Sequence, residues 1–186
     1  MGYNSKIAAL LGNGPSRKFY DPSKAYDYRL GCNIPWADVD ATLILDENII
    51  RLWHKDHSLI KVPAYISREA WMYGDELKTF RPFIKENKYL ISIVDKIPKI
   101  NESSGNVAAR KLVELGYKRI DIYGCDAAFT AAPGHNLNSY TREFIPSTDM
   151  INNSYKWKLN WDALVKKHPE ITFNFIKDES DVEKLY

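Results

Sequence analysis

Ser103 to Asp126 reads SSGNVAARKLVELGYKRIDIYGCD, and two periodicities meet inside it. Ala108, Leu112 and Leu115 recur at i, i+4 and i+7, the spacing of one apolar stripe on a helix. Ser103 or Ser104 supplies a hydroxyl oxygen for one of the unpaired N–H groups at the helix start. Gly116 suits the left-handed residue that ends a helix. Arg119 to Tyr123 then forms a short strand-like run that closes at Gly124-Cys125-Asp126. The stretch is a helix-to-strand unit, the repeating element of an α/β sheet.

The same alternation extends in both directions. Strand-like runs are Lys6 to Leu11, Asp27 to Asn33, Thr42 to Leu45, Ile60 to Tyr65, Tyr89 to Val94, Arg119 to Tyr123 and Ile171 to Ile176. Most are short and apolar, the pattern of parallel strands covered on both faces. Helices are expected over Glu47 to Lys55, Arg68 to Thr79, Gly105 to Leu115 and Asn160 to Lys167. Strands separated by helices predict right-handed crossovers and one α/β sheet. The 186 residues fit a single domain over 1–186, long enough to bury a sizeable core. Ala127 to Asn153 is the one long stretch without a clear period, and a segment of that length in a compact domain is usually functional or mobile.

Composition narrows the function classes. The chain is 45% hydrophobic and 27% charged, as in ordinary soluble globular proteins. A formal net charge of +2 gives no electrostatic case for nucleic acid. No segment approaches the roughly 18 consecutive apolar residues of a membrane span. MGYNSKIAALL reads as the approach to a first strand and not as a signal peptide, and Lys6 breaks the myristoylation pattern that Gly2 begins. Cys32 and Cys125 each follow a strand-like run and lack metal-ligand spacing. They are expected to be reduced packing residues of a cytoplasmic protein.

The first strand runs straight into Gly12-Asn13-Gly14-Pro15-Ser16, with Arg17 and Lys18 next. Gly, Asn and Pro make turns, but two glycines also admit a close backbone approach to a ligand, with Asn and Ser as polar contacts. The Ser-Ser-Gly helix start offers free N–H groups, hydroxyls and a positive dipole end to an anion.

GNGPS after the first strand, Cys32-Asn33 ending the second, and SSG opening the helix through LGYKRIDIYGCD form an ordered set. Over roughly Lys6 to Asp126 this set resembles the bacterial sialyltransferases of glycosyltransferase family 42. It is also similar to pterin-pyrophosphokinase-like proteins that share the GNGPS turn. The resemblance implies a Rossmann-like α/β fold, a mostly parallel sheet flanked by helices. In it a cytidine nucleotide sugar would lie across the carboxyl ends of the strands, where open parallel sheets bind ligands. Carried over by position, Gly12, Asn13, Gly14 and Ser16 would face the nucleotide phosphate and ribose, and Asn33 the sugar or base. Ser103, Ser104 and Gly105 would hold the donor at the helix start, and Asp126 would line the cleft.

The family uses a histidine base and two tyrosines on the leaving phosphate. Here the stretch before the last helix, Asn153 to Lys158, contains no histidine. The downstream histidines are His135, within APGHNLNSY, and His168, within KKHPE. His168 ends a helix and fits a dipole-compensating surface residue. His135 is the candidate general base, since an imidazole titrates near neutral pH. Tyr140 and Arg142 are candidates to stabilise charge on the leaving phosphate. Asp126 is the reserve carboxylate.

Asp38-Val39-Asp40 is a DxD sequence, a pattern that could hold a divalent ion on phosphates. It is short, and the resembled family manages without metal, so neither a metal nor a cofactor is expected. Trp36 follows Pro35 and could stack on a base or sugar. Trp53 and Trp71 fit a core face, while Trp157 and Trp161 share a helix face. The function expected is metal-independent, inverting transfer from a nucleotide sugar to a hydroxyl acceptor. The alternatives are pyrophosphokinase-like phosphoryl transfer and a nucleotide-binding protein without chemistry, with homo-oligomer formation left open.

Overall fold

The strand runs become one sheet. In a computed structural model, which describes residues 6–72, 78–97, 100, 102–128 and 148–177, β1 (Ile7–Leu11) lies near its centre. The other strands are β2 (Tyr28–Cys32), β3 (Ala41–Ile44), β4 (Ala64–Ser67), β5 (Leu90–Val94), β6 (Arg119–Tyr123) and β7 (Thr172–Phe175). Their order is β5-β4-β3-β2-β1-β6-β7, and every neighbouring pair is parallel. The chain steps outward from β1 to β5, then crosses back to lay β6 on the other side of β1. That reversal places a topological switch point between the carboxyl ends of β1 and β6. Leu11 is in register with Tyr123 there, so Gly12 and Gly124 leave the sheet side by side.

The helices are α1 (Glu47–Lys55), α2 (Arg68–Met72), α3 (Phe80–Glu86), α4 (Ser104–Glu114) and α5 (Thr148–Lys167). Side-chain alternation along the strands sorts the core between the two faces. In β3, Leu43 joins Leu10, Leu30, Ile120 and Ile122 under Val107, Ala108 and Leu112 of α4 and Trp161 of α5. Its neighbour Ile44 points the other way, to Ile49, Ile50 and Trp53 of α1 and Phe80 and Ile84 of α3. Each such side chain, fully buried, is worth about 1.5–3 kcal/mol. On that second face no α-helix among the described residues covers β1 and β6. Ala9, Leu11 and Tyr123 are instead covered by Tyr20, Tyr26, Trp36 and Val39 from the β1–β2 and β2–β3 connections.

The Rossmann-like α/β architecture matches the sequence reading, and so do most element bounds. The helix expected over Arg68 to Thr79 is described as α2 to Met72, with 73–77 outside the described residues and Thr79 the N-cap of α3, and three other elements differ for physical reasons. The fourth strand begins at Ala64 and not at Ile60, because Pro63 has no N–H for the ladder and contributes only its carbonyl, to Thr42 N–H at 2.9 Å. Helix α3 is an addition, since Pro82 lies in its first turn, where the missing N–H costs no helical bond. Helix α5 starts at Thr148, twelve positions before the expected start at Asn160. Asn, Ser and Tyr are weak helix formers, so a reading by propensity starts the helix only after them. The stretch expected to be irregular, Ala127 to Asn153, is therefore helical at its end and a 3-10 turn (Asp126–Ala128) at its start.

Candidate functional site

The three motifs converge near the β1/β6 switch point, two of them on Cys125 and the third through Asn13. A Cβ on Gly12 would come within 2.8 Å of Cys125 Sγ, and a Cβ on Gly105 would come equally near the same atom. Gly105 also faces Trp161 Cζ2 at 3.1 Å. GNGPS and the SSG helix start thus both pack against Cys125, two residues after β6.

The close approach that Gly12 and Gly14 permit is to protein backbone. Gly12 N–H donates to Tyr123 C=O at 2.7 Å and Gly14 N–H to Gly124 C=O at 2.8 Å. A Cβ on Gly12 or on Gly124 would collide with the other's carbonyl oxygen, and one on Gly14 with Asp126 Oδ2. Gly124 also takes a left-handed φ of 66°, which glycine adopts without strain.

Ser16 and Asp126 close this junction. Asp126, 2% exposed, accepts from Ser16 N–H at 3.2 and 3.3 Å and from Ser16 Oγ at 3.1 Å. Ser16 Oγ in turn accepts from Gly124 N–H at 2.9 Å. A buried carboxylate needs such donors to remain ionised. Pro15 fixes the start of the 3-10 turn Pro15–Phe19 that carries Ser16 into place. The sequence reading put Asp126 in the cleft wall as a reserve catalytic group. The structure buries it at the junction, with its oxygens turned to Ser16.

Asn13 Nδ2 donates to Cys32 C=O at 3.0 Å, tying the end of β1 to the end of β2. Trp36 Nε1 donates to Gly12 C=O at 2.8 Å, with the Arg17 guanidinium 5.7 Å from its ring centroid. Trp36 therefore braces the GNG turn, an arrangement that the Cys-Asn-x-Pro-Trp order did not signal. Asn33 adopts a left-handed φ of 60°, which costs a non-glycine residue free energy. Its N–H donates to Leu43 C=O at 2.8 Å, and its own C=O accepts from Thr42 Oγ1 at 2.7 Å. The side-chain Oδ1 is buried without a hydrogen-bond partner.

At the start of α4, Ser103 is the N-cap and Asn106 completes a capping box. Ser103 Oγ accepts from Asn106 N–H at 3.2 Å and donates to Asn106 Oδ1 at 2.8 Å, while Ser103 N–H donates to the same Oδ1 at 3.2 Å. Both roles of the Ser103 hydroxyl are therefore taken up. Ser104 and Gly105 stand at the first two helical positions, whose N–H groups have no intrahelical acceptor.

The thiols are packing groups. Burial pushes the Cys32 thiol up to about 12. Burial, then the neighbouring Cys32 and Asp126, raises Cys125 well above the ordinary thiol range. Both cysteines are free thiols.

Two sequence features lie away from the junction. Asp38 and Asp40 line a cavity of about 340 Å³ with Tyr20, Pro22, Arg29 and Val39. Asp40 Oδ2 accepts from Arg29 N–H at 2.7 Å, and no group of three metal-ligating side chains occurs among the described residues. His168, at the C-terminal end of α5, has Nδ1 3.4 Å from Glu170 Oε1. His135, Tyr140 and Arg142 lie outside the described residues. No helix among the described residues is long and apolar enough to cross a membrane.

No family model matches the sequence, and no curated protein matches it. Solved structures do match the fold. The monofunctional α-2,3-sialyltransferase Cst-I of Campylobacter jejuni superposes with a TM-score of 0.56 at 17% identity, over 96% of this chain and 78% of that one. The sialyltransferase CstII of the same organism, solved with the substrate analogue CMP-3FNeuAc, gives 0.53 at 14% identity, over 92% and 81%. At these identities the likeness is one of fold: this chain is built on the same α/β plan as those two sialyltransferases.

Proposed function

We propose that the protein is a nucleotide-sugar glycosyltransferase with a cytidine-linked donor bound at the β1/β6 switch point. The observation that carries this reading is the convergence of GNGPS, Cys32-Asn33 and SSG on one junction at the carboxyl ends of parallel strands. The sialyltransferase-like fold agrees with it.

In this reading the parts divide into frame and contact. Gly12, Gly14, Ser16 and Asp126 hold the turn. Asn13 and Asn33 at the strand ends, with Ser104 and Gly105 at the helix start, face the donor. A helix start and consecutive backbone N–H groups favour an anion without a lysine or a metal. Transfer is a single displacement. The acceptor hydroxyl oxygen bonds to the anomeric carbon, the bond from that carbon to the phosphate oxygen breaks, and its electron pair leaves with CMP. His135 takes the hydroxyl proton, general-base help worth about 10²- to 10⁴-fold. Tyr140 and Arg142 stabilise the charge that grows on the phosphate, a contribution of about 3 kcal/mol.

The test is CMP release from CMP-sialic acid with lactose as acceptor, without added metal. The native protein is expected to turn over, and His135→Ala to lose at least a hundredfold in kcat with donor binding intact. Metal-dependent release from ATP and none from nucleotide sugars would replace this reading with phosphoryl transfer.

A further inference from the structure

The cavity of about 340 Å³ between the β1–β2 and β2–β3 connections holds chemistry that the switch point does not use. It is lined by Tyr20, Pro22, Arg29, Asp38, Val39 and Asp40, and its volume is that of a small-molecule site. Arg29 organises the wall. Its N–H donates to Asp40 Oδ2 at 2.7 Å, its Nε to Tyr20 Oη at 3.1 Å and its Nη2 to Lys24 C=O at 3.0 Å. Tyr20 is held further by edge-on contacts with Trp36 and Tyr123, at ring centroid distances of 5.6 and 5.3 Å.

After these bonds the lining still offers acceptors and a donor. Asp38 takes no hydrogen bond or ion pair from the described residues, and neither does Asp40 Oδ1. Tyr20 Oη accepts from Arg29, so its own proton is the one that remains to be given. Asp38 and Asp40 are exposed, and a ligand entering the cavity meets their oxygens. Beside these polar atoms stand the apolar surfaces of Pro22, Val39 and the Tyr20 ring.

Charge selects the kind of ligand. Two carboxylates against one guanidinium make the lining net negative, which repels a phosphate or a sugar acid. The Arg29 guanidinium in the same wall works against a metal ion, and no group of three metal-ligating side chains occurs among the described residues. A neutral ligand rich in hydroxyls suits every group. Its hydroxyls donate to the carboxylates and accept from Tyr20, while its C–H faces cover Pro22 and Val39.

We propose that the cavity is a saccharide-binding subsite for a neutral sugar unit, with Asp38, Asp40 and Tyr20 as its hydrogen-bonding residues. Its place in the fold suits an acceptor. Tyr20 packs on Trp36, and Trp36 Nε1 donates to Gly12 C=O at 2.8 Å. One aromatic side chain thus separates the cavity wall from the GNG turn, which sets a bound sugar next to the proposed donor site. The role as acceptor rests on the glycosyltransferase reading above; saccharide binding itself does not.

The test is titration of the ¹⁵N-labelled protein with lactose, without nucleotide or metal, on the native chain, Asp38→Ala and Tyr20→Phe, beside the melting temperature of each. The native protein is expected to show saturating amide shifts gathered at residues 20, 21, 29 and 38–40. Asp38→Ala breaks no hydrogen bond among the described residues. It is expected to melt with the native protein and to bind lactose at least tenfold more weakly. Tyr20→Phe keeps the ring and loses the hydroxyl; it is expected to weaken binding too, and it carries the test should the alanine variant misfold. Native lactose affinity in both variants, or no shifts at these residues at about 100 times a millimolar Kd, would overturn the subsite. Shifts there with magnesium chloride and none with lactose would overturn it in favour of a cation. Lactose binding there without any CMP release from CMP-sialic acid would keep the subsite and overturn its role as acceptor site.

Discussion

At the residue scale, the junction shows how a motif can look like a ligand loop and be built largely for the protein. Gly12, Gly14 and Gly124 lack side chains because two turns meet there backbone to backbone. Ser16 and Asp126 are buried because they clasp those turns. Replacement of Asp126 by Ala should therefore strand Ser16 N–H and Oγ in the interior and destabilise the fold by about 1–3 kcal/mol, the cost of buried donors left unpaired. Urea denaturation measures this, and a loss below about 0.5 kcal/mol would place Asp126 outside the frame. Sequence alone showed that these residues form a set. It could not show that Asp126, 110 positions beyond Ser16, is that serine's partner, because the pairing depends on β6 returning beside β1.

At the scale of elements, β6 carries a second polar arrangement, on the face without a helix. Asp121 is fully buried and accepts from Lys24 Nζ, from Asn174 Nδ2 at 3.1 Å, from Arg119 Nε at 3.1 Å and from Tyr26 Oη at 3.1 Å. Burial alone would raise its pKa, but these donors outweigh it and hold the carboxyl at about 2. A depressed carboxyl contributes stability that is present above its unfolded value near 3.9 and is lost as pH falls through the folded value. The acid limb of stability should therefore steepen between about pH 4 and pH 2. Asp121→Asn should flatten that limb and lower stability at pH 7 by about 2 kcal/mol through the lost charged hydrogen bonds. Equal acid limbs in the two proteins would contradict the network. The connection through Lys24 and Tyr26 explains how an aspartate takes its place in an interior strand. The helices were legible where periodicity and caps agreed, as in α4. They were obscured where Pro82 masked the first turn of α3 and where weak formers opened α5.

At the scale of the whole molecule, the strand order is what gives the site its position. One reversal, from β5 back to β6, makes a single crevice in a seven-stranded sheet and sets GNGPS, Cys32-Asn33 and SSG around it. The α/β class was legible from alternating runs, and the parallel order followed from their apolar character. The location of the site needs the crossover, which no local stretch of sequence specifies. The fold also offers a rival location, the 340 Å³ cavity lined by Tyr20, Arg29, Asp38 and Asp40 on the helix-free side. A titration of the ¹⁵N-labelled protein with CMP, followed through its backbone amide shifts, separates the two most directly. The account predicts that the largest shifts fall at residues 12–16, 33 and 103–106. Shifts gathered instead at Tyr20, Arg29, Asp38 and Asp40, with the switch point unmoved, would contradict it.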